Sequence, residues 1–170
     1  GDVYKRQSYE AVKFIENNSQ KPFFLFLPYN APHGPLQAPE KYVNRFPYIE
    51  NPLRKIYAGM ISSMDDGIGK ILTKLKEEKI YDNTIVFFLS DNGAPKKRWT
   101  VKDGANSPFS GYKGSDLGEG GVRTPFFMQW PKKIKPKTTY DNPVSSFDIF
   151  ATMKSIINPD LKPVSYTHLT

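Results

Sequence analysis

Apolar side chains return at three- and four-residue steps through residues 53–79: Ile56, Tyr57, Met60, Ile61, Met64, Ile68, Ile71, Leu72 and Leu75. That stripe predicts a long amphipathic helix, with Met60 and Met64 on its core side and Gly67 and Gly69 weakening its middle. Ahead of it, residues 8–17 predict a shorter helix with Ser8 as N-cap and Ala11, Val12 and Ile15 on one side. Two other runs have no helical period. "KPFFLFLPYN" (21–30) predicts a buried strand that Pro22 starts and Pro28 closes, and "DNTIVFFLS" (82–90) a second, a continuous apolar run of the kind buried on both faces of a parallel sheet. Strand, helix and strand in that order make a βαβ unit. A third strand, "TPFFMQW" (124–130), and a helix over 146–157 complete the pattern.

The intervening loops differ in kind. "NAPHGPLQAPEKY" (30–42) is too rich in proline for regular structure. Residues 91–123 form a long irregular segment loaded with Gly, Ser, Lys and Asp, a length that inside a compact domain goes with function or mobility. Residues 1–7 and 164–170 continue neither neighbouring element and are expected to be non-native tails, leaving 8–163 as the domain. The chain starts at Gly rather than Met, so a segment upstream of it is expected.

Composition narrows the picture. A chain of 170 residues suffices for one domain with a real core, burying roughly 70% of its unfolded surface. Its 24 Lys and Arg against 17 Asp and Glu give a net charge of +7, which favours anionic partners: nucleic acid, anionic membrane, or sulfated and phosphorylated substrates. The absence of cysteine excludes disulfides, thiolate zinc sites and thiol nucleophiles from this chain. The longest apolar stretch, residues 23–27, falls far short of the roughly 20 residues that span a bilayer, and no basic-then-apolar leader opens the sequence.

Candidate chemistry gathers at three places. Asp91 and Asn92, at the end of the second strand, offer a carboxylate and an amide oxygen, hard ligands suited to calcium or magnesium rather than zinc. The same Asp-Asn-Gly is also ordinary turn chemistry, and two oxygens do not complete a cage of six to eight ligands. His33, between Pro32 and Gly34, has the chemistry of a general acid near neutrality, or of a histidine that bonds loop backbone. Lys113, between Gly111 and Gly114, reads as an anion contact or as a solvated lysine. In a parallel βαβ arrangement His33 and the Asp91–Asn92 pair would converge on one sheet edge, where open α/β folds bind ligands. Asp65 and Asp66 read as the polar face of the long helix, and "PKKRW" (95–99) as a solvated loop or substrate-facing charge rather than a nucleic-acid patch.

Four blocks taken together resemble a known family. "KPFFLFLPYNAPHGPLQAPEKY", "YAGMISSMDDGIGKIL", "NTIVFFLSDNG" and "GYKGSDLGEGGVRTPF" are similar, in order and spacing, to successive blocks of the sulfatases. Within the family the "HGPLQAPEKY" loop most resembles arylsulfatases of the N-acetylgalactosamine-4-sulfatase type and bacterial polysaccharide-degrading relatives. The resemblance implies an α/β, alkaline-phosphatase-like sandwich with a mostly parallel central sheet, incomplete here. It also implies Ca2+, ahead of Mg2+, held in part by Asp91 and Asn92; His33 touching the sulfate ester and assisting protonation of the leaving group; Lys113 binding a sulfate oxygen; and Glu119 and Arg123 serving mainly structure. The implied substrate is a sulfated glycan or aryl sulfate ester, with no nucleic acid and no membrane span, in a periplasmic, secreted or lysosome-like location.

The sequence departs from the family at the nucleophile. Sulfatases attack sulfur with a hydrated formylglycine made within C/S-x-P-x-R, and neither that motif nor the paired aspartates that complete the metal site occur here. Both are expected upstream of residue 8, which makes the chain an internal piece of a catalytic domain, inactive in isolation. Two other readings stay open: a phosphonate or phosphate ester hydrolase of the same superfamily, and a non-catalytic basic module for acidic glycans.

Overall fold

The long apolar stripe becomes one uninterrupted helix, α3 (Pro52–Glu77), in a computed structural model that describes residues 3–96, 106–115, 118–158 and 160. The Asn51 side chain accepts a hydrogen bond from the Arg54 amide at 3.0 Å and Pro52 occupies the first helical position, a start signal with a physical cause at each residue. The far end closes as a Schellman turn, with the Ile80 amide on Leu75 O and the Lys79 amide on Lys76 O, both at 3.0 Å. Lys79, at φ 59°, fills the left-handed slot that glycine usually takes.

Helix α1 (Val3–Asn18) packs along α3. It starts at Val3 and not at Ser8, so Ser8 is no N-cap: it lies buried inside the helix, its hydroxyl 2.8 Å from the Tyr29 hydroxyl. Ala11 and Ile15 of α1 are buried, as are Met60, Met64 and Leu75 of α3. Ala31 joins Met60 and Met64 in a cluster covered by Tyr29, Leu36, Ala38 and Ile68, so the proline-rich loop is seated on the helix. That loop does contain regular structure: α2 (Glu40–Val43) starts after Pro39 and packs on α3. Pro39 stands before the first helical residue, where its missing N–H breaks no helical bond. Gly59 permits the approach, since a Cβ there would lie 3.1 Å from both Ala38 Cβ and the Val43 amide nitrogen.

The expected first strand is extended but joins no ladder among the described residues. Its side chains alternate. Phe23, Leu25 and Leu27 are half-buried, with Phe23 edge-on to Phe14 of α1, whereas Phe24 and Phe26 are each 76% exposed. Gln7 supplies what a neighbouring strand would: its amide donates to Pro28 O and its oxygen accepts from the Asn30 amide.

The second and third apolar runs do pair, as β1 (Val86–Leu89) and β2 (Phe126–Gln129). The ladder is antiparallel, running from Val86 opposite Gln129 to Leu89 opposite Phe126, so the parallel neighbour expected for β1 is not found among the described residues. Nor is β1 buried on both faces as expected: Val86, Phe87 and Leu89 are half-buried and Phe88 is exposed, because an apolar run marks a strand while its cover, partner and direction are settled by distant segments. A 3-10 turn (Tyr81–Asn83) leads from α3 into β1, and the one-turn helix α4 (Glu119–Val122) precedes β2. The chain divides into two units, Gly1–Pro136 and Lys137–Thr170. The second carries α5 (Phe147–Ile157), on which Phe147, Phe150 and Ile157 are exposed.

Candidate active-site loops

Beyond β1 the two strand ends stay joined: the Ser90 amide donates to Pro125 O at 3.2 Å and the Thr124 hydroxyl to Ser90 O at 2.9 Å. Asp91 and Asn92 therefore leave the sheet from a fixed point. The Asn92 side-chain nitrogen donates to Gly93 O at 2.9 Å, which turns the amide oxygen the other way. Asp91 is exposed, and its carboxylate has no hydrogen bond or ion pair with a described residue. Among the described residues, two consecutive hard oxygen donors are thus left without a partner, as part of a cage for a hard cation requires. Among the described residues no three His, Cys, Asp or Glu side chains gather into a metal-binding cluster.

Lys113 is brought to this turn by backbone. Its amide donates to Ala94 O at 3.1 Å, and Gly111 (φ 93°) and Gly114 (φ 80°) give the left-handed bends on either side. Ser115 closes the loop, its hydroxyl accepting from the Tyr112 amide at 2.8 Å and donating to Tyr112 O at 2.7 Å. The Lys113 ammonium is exposed and has no ion pair with a described residue. α4 backs the assembly: the Gly93 amide donates to Gly121 O at 2.9 Å and the Gly120 amide to Ser110 O at 2.7 Å. A Cβ on Gly93 would collide with Gly120 O, so that contact is closed to any larger residue. Glu119 and Arg123 pair with each other at 3.4 Å on the surface, and the guanidinium lies 4.5 Å from the Phe109 ring centre, in keeping with a structural part.

Asp91, Asn92 and Lys113 thus share one hydrogen-bonded unit. His33 belongs to another, the loop seated on α3. Its amide donates to Asn30 O at 2.8 Å, and its Nδ1 lies 2.8 Å from Gly34 O. A carbonyl only accepts, so Nδ1 carries a hydrogen and Nε2 is the nitrogen left for other chemistry. Asp66 is engaged in structure, its two oxygens taking hydrogen bonds from Arg45 at 2.9 and 2.8 Å. Of "PKKRW", residues 97–99 lie outside the described residues. Asn106 bonds both site loops without standing out in the sequence: an asparagine between Ala105 and Ser107 has no signal that separates it from turn residues.

The sulfatase family profile matches residues 5–158, and the chain belongs to that family. Arylsulfatase H of Homo sapiens is 34% identical over 150 residues, 86% of this chain and 26% of that protein. The uncharacterized sulfatase YdeN of Escherichia coli (strain K12) is 41% identical over 150 residues, 84% of this chain and 25% of that one. The solved structure of Ps i-CgsB in complex with k-i-k-neocarrahexaose superposes with a TM-score of 0.86 at 39% identity, over 94% of this chain and 35% of that chain. The α/β, alkaline-phosphatase-like class follows from that likeness. The chain spans about a quarter of the length of the curated relatives it matches. Family membership implies a metal ion and a formylglycine in general terms.

Proposed function

We propose that this chain carries part of the catalytic site of a sulfuric ester hydrolase that removes sulfate from a sulfated glycan or aryl sulfate. One observation carries the reading: the oxygens of Asp91 and Asn92 and the ammonium of Lys113, unpartnered among the described residues, stand on loops joined by the bond from the Lys113 amide to Ala94 O. Asp91 and Asn92 would hold Ca2+, which when bound draws charge off sulfate oxygens. Lys113 places a second positive charge against those oxygens, favouring the charge that builds up as the ester bond breaks. His33, with Nδ1 fixed on Gly34 O, offers Nε2 as the donor that protonates the departing alcohol. The nucleophile is not supplied by this sequence, which has neither Cys nor Ser-x-Pro-x-Arg, and the isolated chain is inactive. The hexaose ligand of the structural relative supports a glycan sulfate over a small aryl sulfate, and the family's habit of export supports a periplasmic, secreted or lysosome-like setting.

The test uses the complete gene product with sulfated oligosaccharides, 4-nitrophenyl sulfate and 4-nitrophenyl phosphate. Sulfate release is expected to stop on calcium chelation, and K113A, D91A and H33A each to lower kcat/KM by at least ~100-fold, the scale of a lost transition-state contact. Faster turnover of the phosphate ester would move the reading to the related phosphohydrolases. Full activity in D91A and K113A would end it.

A further inference from the structure

Asn106 occupies the junction between the two site loops. Its Oδ1 accepts from the Ala94 amide at 2.9 Å, while its Nδ2 donates to Ala94 O at 3.0 Å and to Gly111 O at 3.1 Å. The amide orientation is fixed by its partners, because the Ala94 N–H can only donate and so must face oxygen. Ala94 follows Asn92 by two residues and Gly111 precedes Lys113 by two, so one side chain grips the chain just outside each candidate group. Ala94 O is moreover shared, taking the Lys113 amide at 3.1 Å as well. On the other side a Cβ on Gly120 would lie 2.8 Å from Asn106 Cβ, so α4 closes the junction.

We propose that Asn106 is a positioning residue that couples the Asp91–Asn92 turn to the Lys113 loop, so that occupancy of one loop fixes the place of the other. The proposal rests on the roles given above to Asp91, Asn92 and Lys113. The chemistry required is one acceptor and two donors in a plane on a short stem, which asparagine alone provides. Aspartate keeps the acceptor for the Ala94 amide but loses both donors and sets a carboxylate against two carbonyls. Alanine loses all three bonds.

The experiment is residue-resolved amide hydrogen exchange on the complete gene product, without metal and then with calcium, for wild type, N106D and N106A. Without metal, N106D is expected to leave the Ala94 amide protected and to speed exchange at Lys113 at least ~10-fold, since two hydrogen bonds that tie the loops are lost together. N106A is expected to speed exchange at both positions. The amides of β1 should hold their wild-type rates in each variant. With calcium, wild type should gain protection at Lys113 as well as at Asn92, and N106D at Asn92 alone. Should N106A fail to fold, N106D still decides. Exchange at Lys113 within twofold of wild type in N106D overturns the proposal, as does a rise in β1 equal to that at Lys113. Should the exchange pattern hold while K113A and D91A keep full sulfatase activity, the assigned roles of those residues fail and the coupling of the loops stands.

Discussion

Two glycines of α3, one apart from the other by a single residue, should answer the same substitution with opposite signs. Alanine in place of a mid-helix glycine gains about 0.5–1 kcal/mol from backbone entropy alone. At Gly69, exposed and with nothing within 4 Å of an added Cβ, that gain should appear undiminished. At Gly67 the new methyl would collide with the Ser8 hydroxyl, lie 3.0 Å from Ser8 Cβ and reach 3.5 Å from the Tyr29 hydroxyl. Overpacking of that kind costs about 1–3 kcal/mol, and the displaced Ser8–Tyr29 hydrogen bond about 1 more. After the helix-propensity gain, G67A should lose ~1–3 kcal/mol net. Urea unfolding of the chain, followed by circular dichroism, reads both: the midpoint should rise in G69A, fall in G67A, and partly recover in S8G/G67A. A rise in both single variants would mean that α1 does not seat on α3 through Ser8. Tyr29 also opens the His33 loop, so in the complete gene product G67A should lower sulfatase activity while G69A leaves it unchanged.

Other outcomes are equally specific. Hydrogen bonds from Arg45 hold the Asp66 carboxyl below its ordinary value of 3.8. A lowered folded-state value stabilises at pH above the unfolded one and fades as pH falls through the folded one. The thermal-stability gap between wild type and D66N, present at pH 7, should therefore close in acid, and a gap that persists at pH 2 would refute the pairing. G93A, which forces a methyl against Gly120 O, should raise the calcium needed for half-maximal activity at least ~10-fold or abolish turnover, since overpacking against backbone has no side chain to relax. Phe24 and Phe26, each 76% exposed, should drive self-association of the isolated chain, and F24S/F26S should reduce the particle size seen by light scattering.

What the sequence made legible follows from how local each signal is. The helix expected over 53–79 forms as Pro52–Glu77 because its stripe spans many turns and both of its ends carry local caps. The runs 82–90 and 124–130 hold β1 and β2, since apolar β-formers have few other uses. Direction of pairing was not legible, because an antiparallel partner 40 residues away leaves no mark within the run itself. The segment at 22–28 shows the same limit: its composition is that of a strand, yet among the described residues Gln7 and α1, not a ladder, hold it. At the site, Asp91, Asn92, His33 and Lys113 stood out through side-chain chemistry and family resemblance. Asn106 did not, because its importance lies in three bonds to backbone atoms of residues that have no distinctive side chains.

Where Asn106 does not join them by its side chain, the site loops meet through main chain. Gly118 lies against Gly111, Gly120 against Gly111 O, and Gly93 against Gly120 O. Consequently a saturation-mutagenesis screen scored on sulfatase activity would find these spacers as intolerant as Lys113, and for a different reason. Tolerance alone would not tell a reacting group from a structural one here. A screen that also scored abundance would separate them, since on the role proposed for Lys113 its loss should leave a folded, silent protein, whereas bulk at the glycines should remove the fold of the loops first.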